Sequence, residues 1–198
     1  MRLKIGITGG IGVGKSIATR IFNVLNIPTY DADTEAKKLM TEDVHIRQAL
    51  QSLFGNQVYL SNGNLNRAWL SKEVFSTPDK LTQLNKIVHP VVIKHAEDWA
   101  DVQVAPYSIK EAALLFESGS YKSLDFSILV TSPSNLRLER VMARDHVSKE
   151  EVEGRIAAQM PEDEKAKLAD YTIVNDNNHS LIKQIMTLHN LFLHYEKK

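Results

Sequence analysis

The chain has 198 residues, 43% of them hydrophobic, with 24 Lys+Arg balanced by 24 Asp+Glu. That length suits one compact domain or a core with an insertion, and the zero net charge provides no long-range field for nucleic acid or an anionic membrane. With no cysteine in the sequence, disulfides, thiolate metal sites and a cysteine nucleophile are excluded, and no stretch approaches the ~18 apolar residues of a membrane span.

The opening residues, MRLKI, carry no signal-peptide pattern, and the chain reads as soluble and cytoplasmic. Arg2–Thr8 reads as a buried β-strand, and a glycine-dense stretch, GITGGIGVGKS at 6–16, follows at its end. Ser16–Leu25 has helical spacing at Ile17, Ile21, Val24 and Leu25, and Ile27–Tyr30 is a second short strand that runs into Asp31-Ala-Asp33. From there to about Val102 the pattern is helical, over Ala68–Phe75, Pro78–His89 and Val91–Trp99, with Thr77-Pro78 as a helix start. A turn at 59–65, YLSNGNL, and the pair His89-Pro90 interrupt it. Strand character returns in Tyr107–Leu115 and Leu124–Thr131. Ser132-Pro133 opens a helix carrying Arg137, Arg140 and Arg144, and Ser148 with Glu151 forms a capping box for the next. YTIVN at 171–175 is a last strand, followed by an amphipathic helix over Ser180–His194.

Strands alternating with helices imply an α/β fold with a five-stranded parallel sheet flanked by helices. Residues 1–30 and 103–198 would form its core, with 31–102 an inserted helical subdomain. The charge-dense run 145–167, poor in large apolar residues, has the character of a mobile lid.

Gly9, Gly14, Lys15 and Ser16 match G-x-x-x-x-G-K-[ST], and the match stands between a strand and a helix as its mechanism requires. Successive backbone N–H groups there form an anion nest at a helix N-terminus, and side chains would hold phosphates away from it. Lys15 can bridge β- and γ-phosphates, and the Ser16 hydroxyl can ligate Mg²⁺. The loop reads as a nucleoside triphosphate site.

Asp31 and Asp33 stand where a carboxylate could align and deprotonate an acceptor hydroxyl, or else N-cap the next helix. Arg137, Arg140 and Arg144 share one helical face, either closing over a triphosphate or pairing with Glu139 and Asp145 in solvent. Glu117, after the apolar run AALLF, reads as the end of a strand, where it could orient metal-bound water or cap a turn. His89 alone reads more readily as structural than as a ligand. No His/Asp/Glu cluster has zinc spacing, so no metal is expected beyond the Mg²⁺ that accompanies ATP.

Together these motifs resemble the dephospho-coenzyme A kinase family over nearly the whole chain. The resemblance is carried by TGGIGVGKS at 8–16, YDAD at 30–33, NGNLNRAWL at 62–70 and LNKIVHP at 84–90. It continues through ALLFESG at 113–119, RLERVMARD at 137–145, RIAAQM at 155–160 and ADYTIVN at 169–175. It implies a P-loop kinase core, a helical substrate domain and a lid, acting on ATP and dephospho-coenzyme A. The reaction implied is phosphorylation of the ribose 3′-hydroxyl, in a monomer or weak homo-oligomer with no nucleic-acid or membrane partner. By position it implies Asp33 as catalytic base with Lys15. Gly12, Val13, Gly14, Lys15, Ser16, Ile17, Arg140 and Asn175 would bind ATP, Asn175 lining the adenine pocket. Asp33, His89, Leu115 and Glu117 would bind the acceptor substrate, and Ser16 the metal. Three positions depart from the family pattern: Ile17 where a hydroxyl residue is usual, Ala113 for proline, and Asn66 for aspartate.

The alternatives are a P-loop kinase with another acceptor and a slow nucleotide switch. Against the switch, the Asn-Lys-x-Asp motif that reads guanine is absent.

Overall fold

The apolar runs assemble into one parallel sheet of five strands in the order β2-β3-β1-β4-β5. They are β1 (Leu3–Thr8), β2 (Thr29–Asp31), β3 (Tyr107–Glu111), β4 (Phe126–Thr131) and β5 (Tyr171–Val174). The computed structural model describes residues 2–75 and 78–195; Thr77 of the expected helix start lies outside the described residues. β1 is central, and Ile5 and Ile7 on it are wholly buried, as in parallel sheets covered on both faces. Ile7 is in register with Glu111 of β3 and Ile128 of β4, while Asp31 of β2 lies opposite Glu111.

The helices are α1 (Lys15–Val24), α2 (Ala32–Glu42), α3 (Val44–Phe54), α4 (Arg67–Phe75), α5 (Pro78–Asp101), α6 (Ser134–Asp145), α7 (Lys149–Ala157), α8 (Glu162–Leu168) and α9 (Leu181–Leu193). The chain divides into two compact units, Met1–Asp31 with Trp99–Lys198, and Ala32–Asp98.

In the first unit, Phe22 of α1 and Ile185, Leu188 and Phe192 of α9 pack with the sheet isoleucines into one core. Each such side chain contributes about 1.5–3 kcal/mol when fully buried. Ser180 caps α9, its Oγ accepting the Lys183 N–H, and the α7 capping box forms in both directions between Ser148 and Glu151. In the second unit, Ile46, Leu50, Val58, Leu65 and Leu70 are buried. Arg47 donates to the Thr41 and Gly63 carbonyls and lies 4.1 Å from the Tyr59 ring centre.

Two expectations need correction. β3 stops at Glu111, not Leu115, because the Ala112 N–H makes the last ladder contact, with the Ile7 carbonyl at 3.1 Å, before β1 leaves for its loop. Residues 113–119 instead form turns, closed by Ser118 N–H to Leu114 O and Gly119 N–H to Phe116 O, both at 3.0 Å. Pro90 does not interrupt the helix: α5 runs 24 residues through it. Proline there forgoes one N–H bond to the i−4 carbonyl. The buried stripe Val88, Val92, Ala96 at four-residue spacing carries the helix across that gap.

Candidate active site

Ligands of parallel α/β sheets sit beyond the C-terminal strand ends, and here β1 leads from Thr8 straight into the glycine loop. Gly14 is the N-cap of α1 in a left-handed conformation (φ 92°, ψ 30°), with no side-chain cap and no acid in the first turn. No side chain therefore competes with an external acceptor at the head of α1, where the helix dipole favours an anion. Only glycine suits position 14, because a Cβ would run into the Asn175 side-chain amide. Lys15 Nζ donates to the Gly9 carbonyl at 2.8 Å, inside the loop that its charge would serve.

Distant side chains hold this loop in shape. Ile11 is gripped at both backbone groups: its N–H donates to Gln159 Oε1 and its carbonyl accepts from Arg137 Nε, each at 3.0 Å. Arg137 also pairs with Glu162 at 3.1 Å, where burial pushes the Glu162 carboxyl up and the arginine opposes it. Asn175 Nδ2 donates to the Val13 carbonyl at 2.7 Å.

The three arginines thus divide. Arg137 is buried beneath the loop, a third place beside the two its spacing left open, over a triphosphate or paired in solvent. Arg140 and Arg144 line a cleft of about 340 Å³ beside Gly12, Gly14, Lys15, Ser16 and Ile17. Arg140 is anchored by Ser132 Oγ at 3.0 Å and Asn177 Oδ1 at 2.9 Å. Arg20 lines the same cleft and was not anticipated, although its i+4 spacing from Ser16 puts both on one face of α1. No acidic residue is among the lining residues. Asn175 is buried, and its side-chain amide serves the loop backbone. Val13 is wholly buried, leaving only its backbone for a ligand.

Glu111 is a second unanticipated residue. Its Oε1 accepts from the Ser16 hydroxyl at 3.2 Å and its Oε2 from the Thr19 hydroxyl at 2.9 Å. Burial pushes its carboxyl up, an effect opposed by the Thr19 bond and the Lys15 charge and reinforced by Asp31. No sequence signal marked it, because its strand reads on to Leu115 and only the register of β3 on β1 brings it beside Ser16.

Glu117 does not end the strand that composition suggested. Glu117 lies in the turns after β3, accepts the Met160 N–H at 3.2 Å and pairs at 2.8 Å with Lys165, whose side chain is 1% exposed. Leu115 is wholly buried, packed close to Gly6, and offers no surface to a substrate. Asp33 and His89 belong to the other unit, Asp33 exposed in the first turn of α2 and His89 half-buried in α5.

A larger cleft, about 530 Å³, lies at the N-terminal strand ends, lined by Arg2, Lys4, Asp101 and Asp125 among others. Lys4 meets Asp101 at 2.6 Å there, so charge is already matched. The smaller cleft, with four basic side chains and an uncapped helix, is the one built for phosphate.

A central parallel strand feeding a glycine loop, with arginines over the same cleft, defines a P-loop kinase. Residues 3–180 match the dephospho-CoA kinase family. The dephospho-CoA kinase of Bacteroides fragilis is 39% identical over 189 residues, covering 95% of this chain and 92% of that protein. That of Porphyromonas gingivalis is 41% identical over 187 residues, covering 94% and 92%. A crystal structure of a Thermus thermophilus protein superposes with a TM-score of 0.86 at 34% identity, covering 98% of this chain and 99% of that one. The chain belongs to the dephospho-CoA kinase family, whose members phosphorylate dephospho-CoA with ATP in the final step of coenzyme A biosynthesis.

Proposed function

We propose that this chain transfers the γ-phosphoryl group of ATP to the ribose 3′-hydroxyl of dephospho-CoA. The observation that carries the reading is the cationic cleft at the head of α1, within a family match that spans residues 3–180. The first-turn amides of α1 receive the phosphates, and Lys15 leaves the Gly9 carbonyl to bridge the β- and γ-groups. Arg140, with Arg144 and Arg20 beside it, balances charge on the moving phosphoryl group. Asp33 aligns the acceptor hydroxyl and takes its proton late in a loose transition state.

The hard oxygens at the strand ends, the Ser16 hydroxyl beside the Glu111 carboxylate, are of the kind magnesium takes. Bound with ATP, Mg²⁺ supplies charge neutralisation at the β- and γ-phosphates. Residues 31–102 serve as the acceptor-binding insertion, with His89 in it, and 145–167 as the lid, with Glu117 fastening its C-terminal part through Lys165. The protein works as a cytoplasmic monomer or weak homo-oligomer; no helix among the described residues is long and apolar enough to cross a membrane.

The test is ADP release by purified protein with Mg·ATP and a panel of dephospho-CoA, AMP, CMP or no acceptor. Release should depend on dephospho-CoA. Equal release with and without it would sink the reading.

A further inference from the structure

In a trans peptide the C=O and N–H of one plane point in opposite directions. A group that holds a carbonyl from one side therefore aims the next residue's N–H toward the other. Two carbonyls of the glycine loop are held in this way. That of Ile11 accepts from Arg137 Nε at 3.0 Å, and that of Val13 accepts from Asn175 Nδ2 at 2.7 Å. Both donor residues are buried. The amides sharing those two planes belong to Gly12 and Gly14, which line the cleft beside Lys15 and Ser16. Among the described residues, no group accepts from either N–H.

Glycine makes the hold necessary. Turning a plane over changes ψ of the residue before it and φ of the residue after it. Gly12 and Gly14 stand at φ 81° and 92°, and glycine populates both signs of φ about equally. Each plane could thus turn over and set a carbonyl oxygen where a phosphate oxygen has to sit. To do so its carbonyl must leave a buried donor, and that donor is then unsatisfied, which opposes the flip. The donors are themselves fixed. Arg137 pairs with Glu162 at 3.1 Å. Asn175 continues β5, its N–H on the Thr131 carbonyl at 2.9 Å and its own carbonyl accepting from Ser132 Oγ at 2.8 Å.

We infer that Arg137 and Asn175 are positioning residues for the triphosphate, aiming the Gly12 and Gly14 amides into the cleft by holding the carbonyls of Ile11 and Val13. The inference rests on the reading of the cleft as an ATP site. Two plainer roles compete with it: cross-links that only stabilise the fold and, for Asn175, the adenine-pocket wall that the family resemblance implies.

Affinities for ATP and AMP, measured by calorimetric titration in Mg²⁺ without acceptor, separate the three. The variants are Asn175→Ala and Arg137→Met, the latter made together with Glu162→Gln so that no carboxylate is left unpaired. The ratio of the two affinities isolates what the β- and γ-phosphates gain from the loop. Each variant should lose about 10–100-fold in ATP affinity, the equivalent of one hydrogen bond to a charged group, with AMP affinity unchanged. Nuclear magnetic resonance of protein labelled with ¹⁵N at glycine then locates the loss. In the natural protein ATP, and not AMP, should move the Gly12 and Gly14 amide protons downfield. Asn175→Ala should abolish the Gly14 shift and spare that of Gly12, and Arg137→Met the reverse; either variant carries the test if the other does not fold. Loss of both shifts in each variant marks the residues as general cross-links and overturns the inference, as does an unchanged ratio of ATP to AMP affinity. An equal fall in ATP and AMP affinity for Asn175→Ala, with the Gly14 shift kept, makes Asn175 an adenine wall and also overturns it. A natural protein that binds ATP no better than AMP overturns both the inference and the reading of the site. ADP release that ignores dephospho-CoA overturns only the choice of acceptor and leaves the inference standing.

Discussion

Gly14→Ala is the most quantitative probe of the nucleotide loop. The left-handed backbone at φ 92° costs an L-residue about 1–2 kcal/mol. The new Cβ would displace the Asn175 amide, ending its 2.7 Å bond to the Val13 carbonyl and leaving a buried polar group unsatisfied, about 1–3 kcal/mol. Against this, alanine restricts the unfolded chain and returns about 0.4–1 kcal/mol. The net loss is about 1–5 kcal/mol, a fall in Tm of roughly 2–18 °C for a chain of this size. In an Asn175→Ala background the steric part disappears and only the backbone strain remains. Scanning calorimetry of the four proteins in the double-mutant cycle should therefore give a coupling of about 1–3 kcal/mol. Additivity within ~0.5 kcal/mol would refute the reasoning, because it would mean that Asn175 does not occupy the space glycine leaves open.

Asp33→Asn should lower turnover by roughly 10²–10⁴ with ATP binding preserved, and Asp31→Asn far less; the opposite ranking in steady-state kinetics would exchange their roles. Lys15→Ala should reduce both ATP affinity and turnover, and unchanged turnover at saturating ATP would contradict its place on the phosphates. Lys165→Met leaves Glu117 only the Met160 N–H and solvent. Because Glu117 is 22% exposed, the loss should fall below that of a fully buried pair, at about 2–3 kcal/mol by urea denaturation; an unchanged midpoint would refute the pairing. His189 is bonded to the Tyr107 hydroxyl at 2.7 Å and held below its ordinary pKa by burial. The unfolded chain therefore takes up that proton first, so stability is intact above about pH 6.5 and declines as pH falls below it. His189→Gln should lessen that decline in melting curves, and an identical decline would remove His189 as its source.

The order of elements was legible because each signal was local. Alternating apolar runs marked all five strands, and Ser148-x-x-Glu151 marked a helix start that the structure forms bond for bond. What was not legible depends on partners. AALLF has strand composition, but its strand ends at the last bond to β1, Ala112 N–H to the Ile7 carbonyl, as β1 enters its loop after Thr8. Pro90 looks like a break unless the stripe of Val88, Val92 and Ala96 is known to be buried. At the site, the glycine loop announced Lys15 and Ser16, whereas Glu111 is identified only by the register that sets it beside them. The spacing of Arg137 and Arg140 on α6 could not tell which would lie under the loop and which in the cleft.

The grip on Ile11 and Val13 has a consequence in time. Their partners, Arg137, Gln159 and Asn175, lie 126, 148 and 162 residues further along the chain. At synthesis rates of about 5–20 residues per second, roughly 8–30 s separate the appearance of Gly14 from that of Asn175. For most of that interval the glycine stretch has none of these three side chains to fix its dihedrals, and only with Asn175 are all three present, so nucleotide affinity should arise late in the life of the nascent chain. A ribosome-bound intermediate stalled before β5 would carry the complete phosphate motif and still bind ATP poorly.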